Sequence, residues 1–199
     1  MNKPTQTGMT LIELIVTLSI VAILASVAAP SVKEMIQNNR LTALNNQIVS
    51  SLNYARAEAV KRNYDVTMCV RNAAGNGCST TDGDGFEKGW IVFIDCDADN
   101  TVDAGGCNDG AGNANAPEDI MLDTSPDFTG VTVTGTSTAT PSIRYKPNGG
   151  IAGVSGSLTL NANQEYEQTL NDASTARYKI KILSATGRIS SCKVGTTGC

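Results

Sequence analysis

The chain has 199 residues, enough for one N-terminal membrane helix and one modest globular domain. Its 15 basic and 19 acidic side chains leave a net charge of −4, which argues against wholesale coating of nucleic acid. Histidine is absent, which argues against a Ser–His–Asp hydrolase, a Cys–His enzyme and a typical zinc enzyme, and "GVSGS" at Gly153–Ser157 lacks the last glycine of a nucleophile elbow.

The chain opens on "MNKPTQTG", short and polar, with one lysine, Lys3. From Met9 to Ala29 only Glu13 is ionisable. The run is long enough to cross a bilayer as a helix, which takes about 20 residues. A charged side chain at membrane depth costs roughly 2.5–3.5 kcal/mol on insertion scales, so Glu13 is either paired or functional, or lies close enough to the membrane edge to reach the headgroups. A cleaved secretory signal is the competing reading, with "ASVAA" at Ala25–Ala29 as its cleavage region. The apolar run exceeds the usual signal core of roughly 7–15 residues, and the helical pattern continues past Pro30.

Beyond Pro30, Leu41, Leu44, Ile48, Leu52, Ala55 and Ala59 recur at steps of three and four and form one apolar stripe, with polar residues on the other faces. The helix is expected to end near Arg62–Asn63. The rest reads as β structure. "DVTMCV" (Asp65–Val70) and "GWIVFID" (Gly89–Asp95) are short apolar runs bounded by turn residues. "VTVTG" (Val131–Gly135), "SIRYK" (Ser142–Lys146), "GSLTLN" (Gly156–Asn161) and "RYKIKIL" (Arg177–Leu183) alternate or nearly so, and a last hairpin partner follows Gly187. The fold class is α+β: a long N-terminal helix, half membrane and half amphipathic, packed on a strongly twisted antiparallel head of one sheet or two small ones.

"GMTLIEL" at Gly8–Leu14 resembles the processing site of type IV pilins and type II secretion pseudopilins. The resemblance implies that a prepilin peptidase cuts after Gly8 and that the new terminus, Met9, is N-methylated, although phenylalanine is more usual there. Glu13 then falls at the family's glutamate position, where it serves assembly, and Pro30 where many pilins carry a helix-kinking proline. "YARAEAVKRN", a strand, "GWIVFID" and an Asp-rich loop resemble more narrowly the FimT/FimU-type minor pilins and the H-type pseudopilins, with "NGG" and "GR" as diffuse features downstream. The implied organisation is a leader over 1–8, a membrane and filament-core helix over 9–30, its amphipathic continuation over 31–63, and a periplasmic head over 64–199.

Six cysteines (Cys69, Cys78, Cys96, Cys107, Cys192 and Cys199) at wide spacings, with no C-x-x-C, suggest disulfides in an oxidising compartment. Pairing of sequence neighbours is the simplest connectivity: Cys69–Cys78, Cys96–Cys107 and Cys192–Cys199. Some could instead be free or differently paired.

Two charged segments are candidate sites. In "DCDADNTVD", Asp95, Asp97, Asp99 and Asp103 occupy positions 1, 3, 5 and 9 of an EF-hand-like loop, with Asn100 at the turn position and Val102 at the apolar one. Gly106 stands where the bidentate glutamate would be, and Glu118 would have to be brought back to replace it. Calcium binding and a plain solvated acidic turn are the two readings. At the C-terminal end Arg177, Lys179, Lys181, Arg188 and Lys193 occur with no acid after Asp172. Some FimT-type pilins of DNA uptake carry a basic "GRxR" near this point. This chain has Gly187-Arg188-Ile189-Ser190, leaving Arg188 and Lys193 as DNA-binding candidates against an ordinary strand with a wet basic face.

The resemblance implies a non-enzymatic minor pilin that initiates or caps a type IV pilus. It would sit as a single-pass protein in the bacterial inner membrane, then in the filament, near its tip. Its partners would be major and minor pilins, the prepilin peptidase and the inner-membrane assembly platform. The alternatives are an H-type pseudopilin of a type II secretion pseudopilus and a DNA-binding minor pilin of natural transformation.

Overall fold

A computed structural model describes residues 8–81, 84–95, 97, 99–102, 118–124, 131–135, 142–153, 165–172, 175–183 and 185–194. The chain divides into two units, 1–39 and 40–199. One helix, α1, runs over Leu11–Arg62 and is continuous across Pro30. In the first unit its Leu11–Ala29 segment is long and apolar enough to cross a membrane, and none of it is buried.

In the second unit the expected stripe is realised residue for residue. Leu41, Leu44, Ile48, Leu52, Ala55 and Ala59 are all buried. The last two are alanines, which lets the sheet approach the helix closely. The helix stops at Asn63, which adopts φ +60 and donates its N–H to the Ala59 carbonyl at 3.0 Å. Asparagine tolerates this left-handed conformation, and the bond satisfies a carbonyl the helix end leaves open. Glu58 accepts from Arg62 at 2.6 Å and lies 3.5 Å from Lys61. The Arg62 hydrogen bond holds the Glu58 carboxyl below its ordinary value.

Two antiparallel sheets make the head. The first contains β1 (Val66–Val70), β2 (Trp90–Ile94), β3 (Ile120–Thr124), β5 (Ser142–Tyr145) and β6 (Ile151–Gly153), in the order β3-β2-β1-β5-β6. The second contains β4 (Val131–Gly135), β7 (Glu165–Asp172), β8 (Thr175–Leu183) and β9 (Ile189–Lys193), in the order β4-β7-β8-β9. Strands β1 and β2 are buried along their whole length. That explains why "WIVFI" shows no polar alternation: both faces of the central strands are covered. Val66, Met68, Val70, Trp90 and Val92 pack with the helix stripe, joined by Val133, Ile180 and Ile182 of the second sheet. On the other face Cys69, Ile91 and Phe93 form a small cluster under Cys78 and Val102. Trp90 meets Phe86 edge to face at 6.0 Å and donates its indole N–H to the Ser51 hydroxyl at 2.9 Å, tying β2 to the helix.

The expected strands at 65–70, 89–95, 131–135, 142–146 and 177–183 are present, with ends shifted by one or two residues. "GSLTLN" lies outside the described residues. Strands β3, β6 and β7 have no counterpart in the sequence reading.

The "NGG" and "GR" segments meet at one point. Arg56 of the helix donates from Nε to the Gly149 carbonyl at 3.1 Å. Gly149 has φ +78 and Gly187 φ +63. A Cβ on Gly187 would collide with the Gly149 carbonyl oxygen and stand 3.0 Å from the Tyr145 ring. Both glycines are therefore fixed by backbone conformation, and Gly187 also by contact.

Candidate functional site

The first candidate site is the start of α1. Gly8 and Met9 are exposed, and among the described residues no atom beyond its chain neighbours lies within 4 Å of where a Gly8 Cβ would stand. Among the described residues, nothing in the fold itself requires glycine at position 8. Thr10 caps the helix. Its N–H donates to Glu13 Oε2 at 2.9 Å and its hydroxyl to the same oxygen at 2.8 Å, while the Glu13 N–H reaches Thr10 Oγ1 at 3.4 Å. This is a capping box, with Glu13 at the third helical position. The Thr10-x-x-Glu13 spacing was visible in the sequence, but the apolar context directs attention to the charge alone.

The second is the acidic loop after β2. Asp95, Asp97 and Asp99 each present a carboxylate oxygen, all within 4.8 Å of one another. Asp95 is fully buried and the other two are exposed. Asp95 Oδ2 accepts from the Thr67 hydroxyl at 2.6 Å, while Oδ1 has no hydrogen-bond partner among the described residues. Burial raises the Asp95 carboxyl above its ordinary value, opposed by the Thr67 hydroxyl, the field of Arg144 and the Asn100 amide. Asp97 Oδ1 accepts the Asp99 N–H at 3.3 Å, and Asp99 Oδ1 accepts the Thr101 N–H and hydroxyl, both at 2.7 Å. Asn100, at the expected turn position, has φ +65. Asp103, the fourth expected ligand, lies outside the described residues. Glu118 is buried but is not one of the three clustered carboxylates, so among the described residues it does not fill the missing glutamate position.

The floor of this loop is a disulfide. Cys69 and Cys78 are bonded, as expected. The Cys78 N–H donates to the Asn100 carbonyl and the Val102 N–H to the Asn76 carbonyl, both at 3.0 Å, and Gly77 bridges Thr101. Cys192 is also disulfide-bonded. Cys96, Cys107 and Cys199 lie outside the described residues.

The third is the basic hairpin. Lys193 pairs with Tyr178, on the face of Ile180 and Ile182, whereas Lys179 and Lys181 pair with Cys192 and Ser190 on the opposite face. Arg188 is exposed in the turn before β9. Arg188 and Lys193 are separated by roughly 17 Å of extended chain at about 3.4 Å per residue. The register thus divides the basic residues between two faces.

An exposed apolar N-terminal helix that continues into a helix packed on an antiparallel head defines a type IV pilin-like protein. The profile of the prokaryotic N-terminal methylation motif matches residues 3–29. That of the type II transport protein GspH matches residues 44–186. The chain belongs to the GspH family. No curated protein matches at a significant level. Two crystal forms of the type IV minor pilin FimU of Pseudomonas aeruginosa are similar in structure. One is 17% identical and covers 77% of this chain and 88% of its own, with a TM-score of 0.47. The other is 18% identical and covers 78% and 91%, with a TM-score of 0.44.

Proposed function

We propose that this chain is a minor pilin that initiates or caps a type IV pilus. A prepilin peptidase removes the leader after Gly8, and Met9 is N-methylated. The apolar helix is held in the inner membrane until the assembly platform transfers it to the filament core, and the head then meets other pilins. The observation that carries this reading is the Leu11–Ala29 segment, unburied along its length and bearing a single carboxylate at its start. Such a surface requires lipid or neighbouring apolar helices around it. In the filament Glu13 pairs with the Met9 amine of an adjacent subunit, because two charges buried together cost far less than either alone.

Glu13→Gln tests this. Glutamine retains an oxygen for the Thr10 cap but carries no charge. The expected result is normal leader cleavage, read as a mature Met9 terminus by mass spectrometry, with loss of the subunit from sheared filaments. Wild-type incorporation of the Gln variant would overturn the pairing.

The GspH profile favours a second reading, an H-type pseudopilin of a type II secretion pseudopilus. Cross-linking followed by identification of the captured subunits separates the two, since one captures pilus proteins and the other pseudopilus proteins. DNA uptake is the weaker reading, because Lys193 lies on the face opposite Lys179 and Lys181.

A further inference from the structure

We infer that the loop after β2 is a calcium site in which Asp95, Asp97 and Asp99 supply the protein ligands. Three carboxylate oxygens already lie within 4.8 Å of one another, so one cation can contact all three. A cluster of exposed acids alone would signify nothing. The decisive member is Asp95, which is wholly buried, has Oδ2 engaged by Thr67 at 2.6 Å and its carboxylate also faced by the Asn100 amide, and leaves Oδ1 without a hydrogen-bond partner among the described residues. A buried polar atom left unpaired costs about 1–3 kcal/mol, and more when it is charged. Native structures rarely leave that cost standing without an ion, a water or a function to account for it.

Arg144, on the strand paired to β1, lies 3.5 Å from Asp65 through Nε. It acts on Asp95 by its field and leaves Oδ1 unbonded. Asp97, two residues on, adds repulsion to Asp95. A divalent cation would oppose that repulsion and coordinate Oδ1.

The backbone holds the arrangement before any ion binds. Asn100 turns the loop at φ +65, and the next residues are pinned to the Cys69–Cys78 loop through Cys78, Asn76 and Gly77. Alternate acids at positions 1, 3 and 5 are the spacing that calcium loops use. Calcium takes six to eight oxygens at tolerant geometry, whereas magnesium demands a near-ideal octahedron and sheds its waters reluctantly. Three carboxylates completed by water suit the former. The partial protein shell places the affinity in the weak range of extracellular modules, a Kd on the order of 10⁻⁴–10⁻³ M.

The test uses the full-length protein in detergent micelles, titrated calorimetrically with calcium chloride or magnesium chloride and melted in each salt at matched ionic strength. The expected result is saturable binding of one calcium by about 10 mM, with a rise in melting temperature that magnesium does not reproduce. The Asp97→Asn/Asp99→Asn double variant changes only exposed side chains, so it should fold, which its melt in chelator checks. It should lose both the heat and the shift. Asp123→Asn removes an acid paired with Arg71, outside the cluster, and should keep both. Absence of saturable calcium binding, an equal response to magnesium, an unaltered double variant, or equal loss in Asp123→Asn would each overturn the assignment.

Discussion

Gly187→Ala measures how tightly the helix and the two glycine turns are joined. Two costs act on it. The residue sits at φ +63, where a side chain costs roughly 1–2 kcal/mol. Its new Cβ would also collide with the Gly149 carbonyl, which is backbone and cannot rotate away. Overpacking of this kind adds about 1–3 kcal/mol. The total is about 2–5 kcal/mol. Gly149→Ala is the internal control, because it has the same backbone cost at φ +78 while its nearest neighbours are side-chain atoms of Arg56 and Val60 at 3.3–3.5 Å. Those can give way, so about 1–2 kcal/mol is expected. For a domain of this size each kcal/mol shifts Tm by roughly 2–4 °C. Thermal melts of a 31–199 fragment, followed by circular dichroism, should show Gly187→Ala several degrees below Gly149→Ala and both below wild type. Equal shifts, or Gly149→Ala the worse, would refute the close approach at Gly187.

Replacing Cys69 and Cys78 by serine opens a loop with a sequence separation of 9. Chain entropy puts its worth at about 2.6 kcal/mol, to be read as a lowered denaturant midpoint; an unchanged midpoint would count against it. Glu87 concerns pH. Its Oε2 accepts the Val133 N–H at 3.0 Å, and burial raises its carboxyl above the ordinary value. The folded state therefore holds the proton more tightly than the unfolded one. Glu87 weakens the fold at neutral pH, and the fold gains stability as pH falls through the raised value towards the ordinary one. Glu87→Gln should be at least as stable as wild type at pH 7, with the difference shrinking on acidification; a pH-independent difference would refute this. Asp84 works in the opposite sense: held low by Lys88 and then Ser79, it contributes stability that is lost only as pH falls through its lowered value, below the usual carboxylate range.

The helix stripe and the two central strands were legible because burial there follows sequence spacing. Leu41 to Ala59 repeat at helical steps, and "VTMCV" and "WIVFI" are apolar throughout. Strand β7, "EYEQTLND", was not legible. It is largely polar, and its placement comes from pairing with β4 on one side and β8 on the other. Strand β6 has only three residues, and β3 follows a Gly- and Asn-rich insertion that masks its start. The acidic loop was legible as a spacing. The burial of Asp95 was not, because it depends on Thr67 of the neighbouring strand and on the loop closed by Cys78. The Arg56–Gly149 bond joins residues 93 apart, a separation no local pattern reveals.

Glu13 brings these levels together. Its cap uses the Thr10 N–H and hydroxyl, both ending on Oε2, which leaves Oε1 for another donor. A carboxylate in the first turn also faces the positive end of the helix dipole, which favours it there. Cleavage after Gly8 would leave the Thr10 peptide N–H intact, so the cap is the same before and after processing. What the proposed processing would add is a positive charge on Met9, one residue before the cap. In the proposed assembly the cap therefore sets where the carboxylate stands, and the amine of a neighbouring subunit supplies its counter-charge. A residue that only capped would tolerate glutamine, while one that also docks would not. That is why Glu13→Gln, rather than Glu13→Ala, separates a local helix signal from a contact between subunits.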